Sequence, residues 1–187
     1  MRQFPAHRFA LRHLPQRPQM AVHFGLVQPI LLGGFNAALD LRYKRLFATY
    51  SHGQGLRFNR RGVRRPEDHA AGLDVRAPWT TGFGVGVILV DELWVAVDTK
   101  FHNFEVRYQD QVKDYMTVTI GAELGWRFFL WRGLHVAPVL RYWPNVYSSS
   151  GRSITFGEGN DAVRHRTMTQ GANGLFANVL VGWAFGV

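Results

Sequence analysis

Ionisable side chains recur at every second position in several stretches of the chain, a spacing that could serve ion pairing, proton transfer or ion conduction. Asp98, Lys100 and His102 form one run, and Asp40 with Arg42 forms another. Alternate residues of a β-strand point to the same side, so each run would place its charges on one face of a sheet. The residues predicted to form a charge network in one enclosed interior are Asp40, Arg42, Asp98, Lys100, His102, Glu123, Arg127 and Arg141.

Two pairs of residues have the types needed for general-base or nucleophilic catalysis, Ser51 with His52 and His102 with Glu105. Residues at i and i+1, or at i and i+3, point to opposite faces of a strand. Neither pair can therefore form the base–nucleophile hydrogen bond without a bulge. The eight histidines show no HExxH or paired spacing, and there are no cysteines. We predict no catalytic residue, no metal site, no cofactor and no enzymatic activity.

The stretch "TTGFGVGVILVDELWVAVDTKF" looks at first like a glycine-rich phosphate loop. Such a loop needs its glycines in a turn between a strand and a helix, because helix N-terminal amides bind the anion. Gly82, Gly84 and Gly86 instead alternate with bulky apolar residues, which is the period of a strand. The stretch predicts a hairpin whose glycines leave interior room for larger side chains such as Lys100 and Arg127.

The elements that would position these residues are strands, because alternation of apolar and other residues continues along most of the chain. The predicted strands are 20–30, 34–43, 46–56, 80–89, 93–106, 116–129, 134–146 and 175–187. Short turns at 44–45, 90–92 and 131–133 alternate with longer polar loops at 57–79, 107–115 and 147–174. This order predicts an up-and-down barrel with both ends at the short-turn rim, formed by residues 20–187 after a basic tail at 1–19.

Each predicted strand has an almost uncharged apolar face and an opposite face of polar, charged or glycine residues. A soluble barrel turns the apolar face inward, whereas a membrane barrel turns it towards lipid. Aromatic residues near both ends of the strands favour the membrane case, since such rings gather at the two membrane interfaces. The two predicted belts are Tyr43, Trp94, Trp126, Phe128, Phe129, Trp131, Trp183 and Phe185 at the short-turn rim, and Tyr50, Trp79, Tyr108, Tyr115, Tyr142, Trp143 and Tyr147 at the long-loop rim.

Eight alternating strands with short turns on one rim and long polar loops on the other resemble the small outer-membrane β-barrels of Gram-negative bacteria. This group contains the opacity-type proteins and the membrane domain of outer-membrane protein A. In the last strand, "GWAFGV" resembles that family's assembly signal at Gly182, Phe185 and Val187, although Val187 replaces the favoured aromatic residue. The resemblance implies an all-β, antiparallel, up-and-down, eight-stranded transmembrane β-barrel of the bacterial outer membrane. Its implied partners are outer-membrane lipid, lipopolysaccharide and the barrel-assembly machinery, but no export signal is visible.

The 187-residue chain has a formal net charge of +9, and much of the excess is local. Guanidinium groups suit phosphate, so the arginines of one long loop predict contacts with lipopolysaccharide phosphates, while a solvated basic loop is the alternative. Nucleic acid is not expected, because neither a recognition helix nor an aromatic stacking platform accompanies the basic residues. The loop arginines are Arg57, Arg60, Arg61, Arg64 and Arg65.

The function predicted from these patterns is that of a monomeric outer-membrane barrel with a structural or surface-interaction role. An eight-stranded barrel is just wide enough to be filled by side chains, so its polar lumen should be salt-bridged without an open pore. Two alternatives stay open. One is a lipid-modifying barrel enzyme of the outer membrane, and the other is a soluble lipocalin-like carrier of an apolar ligand.

Overall fold

The computed structural model describes residues 17–58, 65–168 and 174–186. Its strands form an antiparallel barrel of eight strands that closes on itself, which confirms the predicted fold class. Within the described ranges, no helix combines the length and the apolar character needed to cross a bilayer.

Twelve strand segments, one short α-helix and two single helical turns make up the described chain. The helix α1 is Pro66–Ala70, and the turns are a π-helical turn at Gln28–Leu32 and a 3-10 turn at Gly159–Asp161. The strands are β1 Gln19–Gly25, β2 Phe35–Tyr43, β3 Leu46–Arg57, β4 Asp74–Val90, β5 Leu93–Tyr108, β6 Gln111–Trp126, β7 Phe128–Trp131, β8 Leu134–Tyr142, β9 Asn145–Ser148, β10 Ser153–Phe156, β11 Val163–Arg166 and β12 Leu175–Phe185.

Two of the barrel strands are each built from two segments. β6 and β7 are separated only at Arg127, and β8 and β9 only by Trp143 and Pro144. The barrel closes where β6 pairs with β8, placing Glu123 opposite Arg141. At the short-turn rim the chain ends meet, with Met20 of β1 paired to Phe185 of β12, as the meander requires.

The predicted loop at 107–115 is wrong. β5 and β6 continue to Tyr108 and Gln111, which pair across a two-residue turn in which Gln109 has a φ of 50°. The alternation of faces continues through this segment, but charged residues such as Arg107 and Asp114 interrupt the outward apolar row. Polarity on the outer face was therefore mistaken for the end of the strands.

The first predicted strand is too long. β1 ends at Gly25, and the π-helical turn with Pro29 near its start follows. Proline has no backbone N–H to donate to a neighbouring strand, so the strand pattern cannot continue through it. The side chain of Gln28 is buried here and accepts a hydrogen bond from Asn178 at 2.9 Å.

The two predicted faces of the barrel are observed. Apolar side chains on alternate positions are exposed on the outer wall, for example Phe83 at 59%, Val85 at 66% and Val97 at 57%. The intervening side chains are mostly glycines or polar groups, including Asp98 and Lys100. The barrel is thus apolar outside and largely polar inside.

Five of the aromatic residues assigned to the belts do not belong to them. Tyr108 and Phe129 are half-buried on the inner side, where Tyr108 contacts Phe156 and Phe129 contacts His135. Trp94, Tyr115 and Trp143 are each at most 8% exposed and lie on the inner side of their strands. Their positions near the strand ends were compatible with a belt. The alternation of side chains along each strand, however, gives them the inner parity and places them inside. Outward, exposed rings remain at both rims: Tyr43, Trp126, Phe128, Trp131, Trp183 and Phe185 at one, and Tyr50, Trp79, Tyr142 and Tyr147 at the other.

A second hydrophobic core lies beyond the barrel at the long-loop rim. β4, β5 and β6 are 16 or 17 residues long, whereas β1, β2 and β12 have 7, 9 and 11. On the inner side of this extension, Val75, Val106 and Tyr115 pack with Leu73 and with Phe156 of β10. We call this region the head: the extension at 74–79, 102–108 and 111–117, helix α1, and the hairpin β10–β11.

Candidate functional site

Two interior glycines of β4 lie opposite charged side chains of β5. Gly82 pairs with Lys100 and Gly84 with Asp98. A Cβ atom at Gly84 would overlap the Asp98 carboxylate, and one at Gly82 would meet the Lys100 stem. The glycine-rich stretch therefore makes room for interior charges and is not a phosphate loop.

Asp40 is the centre of one interior cluster near the short-turn rim. Its Oδ2 atom lies 2.7 Å from His23 Nε2 and accepts a hydrogen bond from Arg127 Nη2 at 2.9 Å. His23 Nδ1 lies 3.0 Å from His135 Nε2, and His135 Nδ1 lies 3.1 Å from the carbonyl oxygen of Gly133. The Asp40 carboxylate thus binds the Arg127 guanidinium and one end of a chain of two histidine rings that links β1 to β8.

Arg42 is also in the interior, but its partner comes from a turn. Arg42 Nη1 donates to Glu92 Oε2 at 2.8 Å, and Arg127 Nη1 lies 3.9 Å from the same oxygen. Glu92 has a φ of 71° in the turn between β4 and β5. The turn therefore folds its carboxylate back over the barrel end, where it offsets the charge of two arginines.

Glu123 is the centre of a second interior cluster. It accepts hydrogen bonds from Arg141 Nε, on the directly opposite residue of β8, and from Trp94 Nε1 at 2.8 Å. Both oxygens of the carboxylate are used, and all three side chains are buried. Hydrogen bonds to both carboxylate oxygens offset part of the cost of burying this ion pair, although Arg141 Nη1 has no hydrogen-bond partner among the described residues.

Asp98, Lys100 and His102 line the inner side of β5 above Glu123. Lys100 Nζ lies 4.5 Å from the centre of the Trp143 ring, within the range of a cation–π contact. His102 Nε2 lies 3.3 Å from Thr119 Oγ1. Among the described residues, these three side chains form no ion pair with one another, so the predicted network is two clusters and a polar ladder.

Apolar side chains also fill part of the lumen. Phe47 and Trp94 meet edge to face, with ring centres 6.3 Å apart. Leu180 is 4% exposed and belongs to the same cluster. The buried members are Phe47, Ile88, Trp94, Ala96, Ala137, Val139 and Leu180.

The residue pairs considered for catalysis are not brought together. Ser51 is buried on the inner side of β3 while the next residue, His52, is half-buried on the outer side. Glu105 accepts a hydrogen bond from Arg107 at 2.6 Å, on the opposite face of β5 from His102. In the described parts of the chain, no three His, Asp or Glu side chains are placed to hold a metal ion.

In the head, one buried histidine links three chain segments. His165 Nδ1 lies 3.0 Å from Asp68 Oδ1 and 2.8 Å from Arg65 Nη2, and His165 Nε2 lies 2.9 Å from the Tyr115 hydroxyl. Arg65 Nη1 also donates to the carbonyl oxygen of Arg166 at 2.8 Å. These contacts tie helix α1 and the hairpin β10–β11 to the barrel wall.

The surroundings of this cluster shift two pKa values. Burial alone would raise the pKa of Asp68, but hydrogen bonds with His165 and Arg65 outweigh it and hold that pKa below its usual 3.8. Burial raises the pKa of the Tyr115 phenol, so the hydroxyl stays protonated. Asp68 is therefore an anion that binds its neighbours, and Tyr115 is a neutral hydrogen-bonding group.

The arginine-rich loop is only partly within the described chain. Arg57 is exposed at the end of β3, whereas Arg60, Arg61 and Arg64 lie outside the described residues. Arg65 forms a 2.6 Å ion pair with Asp68, and its side chain is 10% exposed. Arg65 thus stabilises the head and does not present a free guanidinium to solvent.

The residues of the predicted assembly signal lie on both sides of the last strand. Gly182 is opposite His135 and beside His23, where a Cβ would crowd both rings. Phe185 is 48% exposed on the outer wall, and Val187 lies outside the described residues.

Several residues of the observed clusters were left out of the predicted charge network. His23 and His135 follow the inner parity of β1 and β8, and that parity alone could have identified them. Glu92 could not have been found this way, because it belongs to a turn. Asp68 and His165 come from segments interpreted as polar loops, where no periodic pattern exists.

No protein-family model and no curated protein matches the chain. Among solved structures, the chain is similar to the crystal structure of a major outer membrane protein from Thermus thermophilus. The two share 12% sequence identity at a TM-score of 0.48, over 90% of this chain and 99% of the other.

Proposed function

We propose that the chain is an integral β-barrel of a bacterial outer membrane, with a closed lumen and a structural or surface-interaction role carried by its head. The observation that carries this proposal is the width of the apolar belt. On β5 the outward residues from Leu93 to Phe101 are uncharged, and Glu105 follows beyond them. A tilted strand needs about 9–11 residues to cross the hydrocarbon layer, which this length matches.

The neighbouring strand supports the same boundary. On β6 the outward residues from Trp126 to Met116 are uncharged, and Asp114 is the next outward residue. Exposed rings at both margins of the belt suit the two membrane interfaces. A soluble carrier of an apolar ligand needs the reverse arrangement, with an apolar cavity inside, so the charged interior argues against it.

The closed lumen follows from what fills it. Asp40 and Glu123 are each engaged by cations, and the apolar cluster around Phe47 and Trp94 occupies the same half of the barrel. Paired charges and apolar side chains in the lumen favour a structural role over ion conduction. We further propose a monomer, inserted by the barrel-assembly machinery and surrounded by membrane lipid and lipopolysaccharide.

Membrane fractionation with gel migration before and after heating tests the proposal. We expect the chain in the outer-membrane fraction, with a folded band that migrates differently until it is heated. Recovery from the aqueous phase without detergent would refute it.

For the lipid-modifying alternative, turnover of lipid A or phospholipid that is lost in His102→Ala or His52→Ala would replace the structural role with an enzymatic one.

A further inference from the structure

The exposed face of the hairpin β10–β11 carries two arginines in line. Arg164 and Arg166 are two residues apart on β11 and share one face, opposite Thr155 and Ser153 of β10. Both arginines are exposed. Lys113 of β6 donates to the carbonyl oxygen of Thr155 at 2.6 Å, which brings a third cation to the edge of the same face. We call this face the hairpin face.

Among the described residues, the cations of the hairpin face have no acidic partner. The ion pairs among described residues do not include Lys113, Arg164 or Arg166, and the undescribed segments contain no Asp or Glu. The outer wall of the head is different, because Arg76 pairs with Asp74 and Arg107 with Glu105, both at 2.6 Å. The positive charge of the hairpin face is therefore available to an external anion.

The hairpin face is held in place from behind. His165, between the two arginines, points the other way and is bound by Asp68 and Tyr115. Phe156 is fully buried in the head core, and Arg65 holds the backbone of Arg166. A backbone fixed in advance loses less conformational freedom when a ligand binds.

The orientation of the hairpin face indicates which kind of anion it can reach. The back of the hairpin packs on the inner side of the long strands, so its front is turned across the barrel mouth. The strands on the far side, β1, β2 and β12, are several residues shorter, and the rim is correspondingly lower there. In the outer membrane, lipid headgroups would adjoin that low rim.

We propose that the hairpin face binds phosphate groups of lipid headgroups in the outer leaflet. Guanidinium groups bind phosphate oxygens through two parallel N–H donors, and the Ser153 and Thr155 hydroxyls opposite can donate further hydrogen bonds. Lys113 adds a point charge at the edge. This proposal rests on the proposed membrane location, and it assigns phosphate recognition to residues outside the arginine-rich loop.

Binding of lipopolysaccharide to the folded full chain in detergent tests this assignment, with enzymatically dephosphorylated lipopolysaccharide as the second probe. We expect the double variant Arg164→Gln/Arg166→Gln to weaken binding of the phosphorylated form at least about tenfold. The matched control, Arg76→Gln/Arg107→Gln, removes two paired arginines from the outer wall and should leave affinity unchanged. Arg164→Lys/Arg166→Lys keeps the charge and should recover only part of the binding.

Three results would overturn the assignment. One is an equal loss of affinity in the two double variants, and another is equal affinity for the phosphorylated and dephosphorylated lipopolysaccharide. The third is stronger binding of soluble inorganic polyphosphate than of lipopolysaccharide, which would indicate a polymer in the medium as the ligand. Heat-modifiable migration of every variant verifies that the barrel is folded. If the chain fractionates with the outer membrane and the hairpin variants bind normally, only this inference fails. If the chain stays soluble without detergent, the proposed function fails first.

Discussion

His135 Nε2 lies 3.0 Å from His23 Nδ1 inside the barrel, and this contact determines how many protons the two rings carry. The carbonyl oxygen of Gly133 can only accept, so His135 Nδ1 holds a hydrogen. The Asp40 carboxylate also accepts, so His23 Nε2 holds another, and the contact between the rings needs a third. All three hydrogen bonds therefore form together only when the two imidazoles share three protons, which gives the pair one positive charge between β1 and β8.

Removing the Asp40 charge should therefore destabilise the barrel strongly. In Asp40→Asn, His23 would lose the carboxylate that its Nε2 contacts, and buried Arg127 would keep only the 3.9 Å ion pair with Glu92, which Arg42 shares. Breaking a buried pair from one side typically costs about 3–5 kcal/mol. The measurement is the urea midpoint of unfolding in detergent, with Asp110→Asn at the exposed β5–β6 turn as the control. Equal midpoints for the two variants would show that the cluster is not ionic.

Glu123→Lys tests the second interior cluster. The new ammonium would face Arg141 and lie near Lys100, so we expect a loss of about 3 kcal/mol or more in the free energy of unfolding. Glu123→Gln should cost less, because an amide oxygen can still accept from Trp94. An unchanged unfolding midpoint for Glu123→Lys would contradict the pairing with Arg141.

The barrel could be predicted from the sequence because membrane strands repeat one physical rule at every second residue. That rule placed Asp98, Lys100 and Glu123 inside and Val97 outside. It failed where a side chain comes from a turn, as for Glu92, and where the outer wall leaves the apolar belt, as at 107–115. The head was not predictable, since the partners of His165 are far apart in sequence and follow no period.

Gly84→Ala tests whether the interior glycines serve the charged residues opposite them. The added methyl group would overlap the Asp98 carboxylate and approach Thr49. Overpacking of this kind typically costs about 1–3 kcal/mol. Thr99→Ala, on the outward side of the adjacent strand, should cost less than Gly84→Ala. The measurement is the unfolding midpoint of each variant in detergent. An unchanged midpoint for Gly84→Ala would contradict the close packing.

We expect acid to destabilise the head at a higher pH than the barrel. A carboxyl whose pKa is lower in the folded head than in the unfolded chain stabilises the head above its usual pKa of 3.8. That contribution is lost as the pH falls through the lower, folded-state pKa of Asp68. We expect proteolytic cleavage within 65–73 or 149–168 to begin below about pH 4, with an acid-active protease, while heat-modifiable migration persists.

Asp68→Asn is the control for the acid experiment. An amide does not titrate, so the variant should be cleaved at every pH, and its cleavage should not depend on acid in this range. Cleavage that rises with acid equally in both proteins would show that another group controls the head.

Val97→Arg tests whether lipid covers the outer wall. Val97 lies in the middle of the belt on β5, and an arginine at the bilayer midplane of a barrel costs about 2–4 kcal/mol. Val112→Arg is a matched control, because Val112 is 50% exposed against 57% for Val97 but lies beyond Asp114 on β6. We expect only Val97→Arg to lower the unfolding midpoint in phospholipid vesicles. For a barrel surrounded by water, an exposed arginine costs little at either position, so equal midpoints would contradict the membrane location.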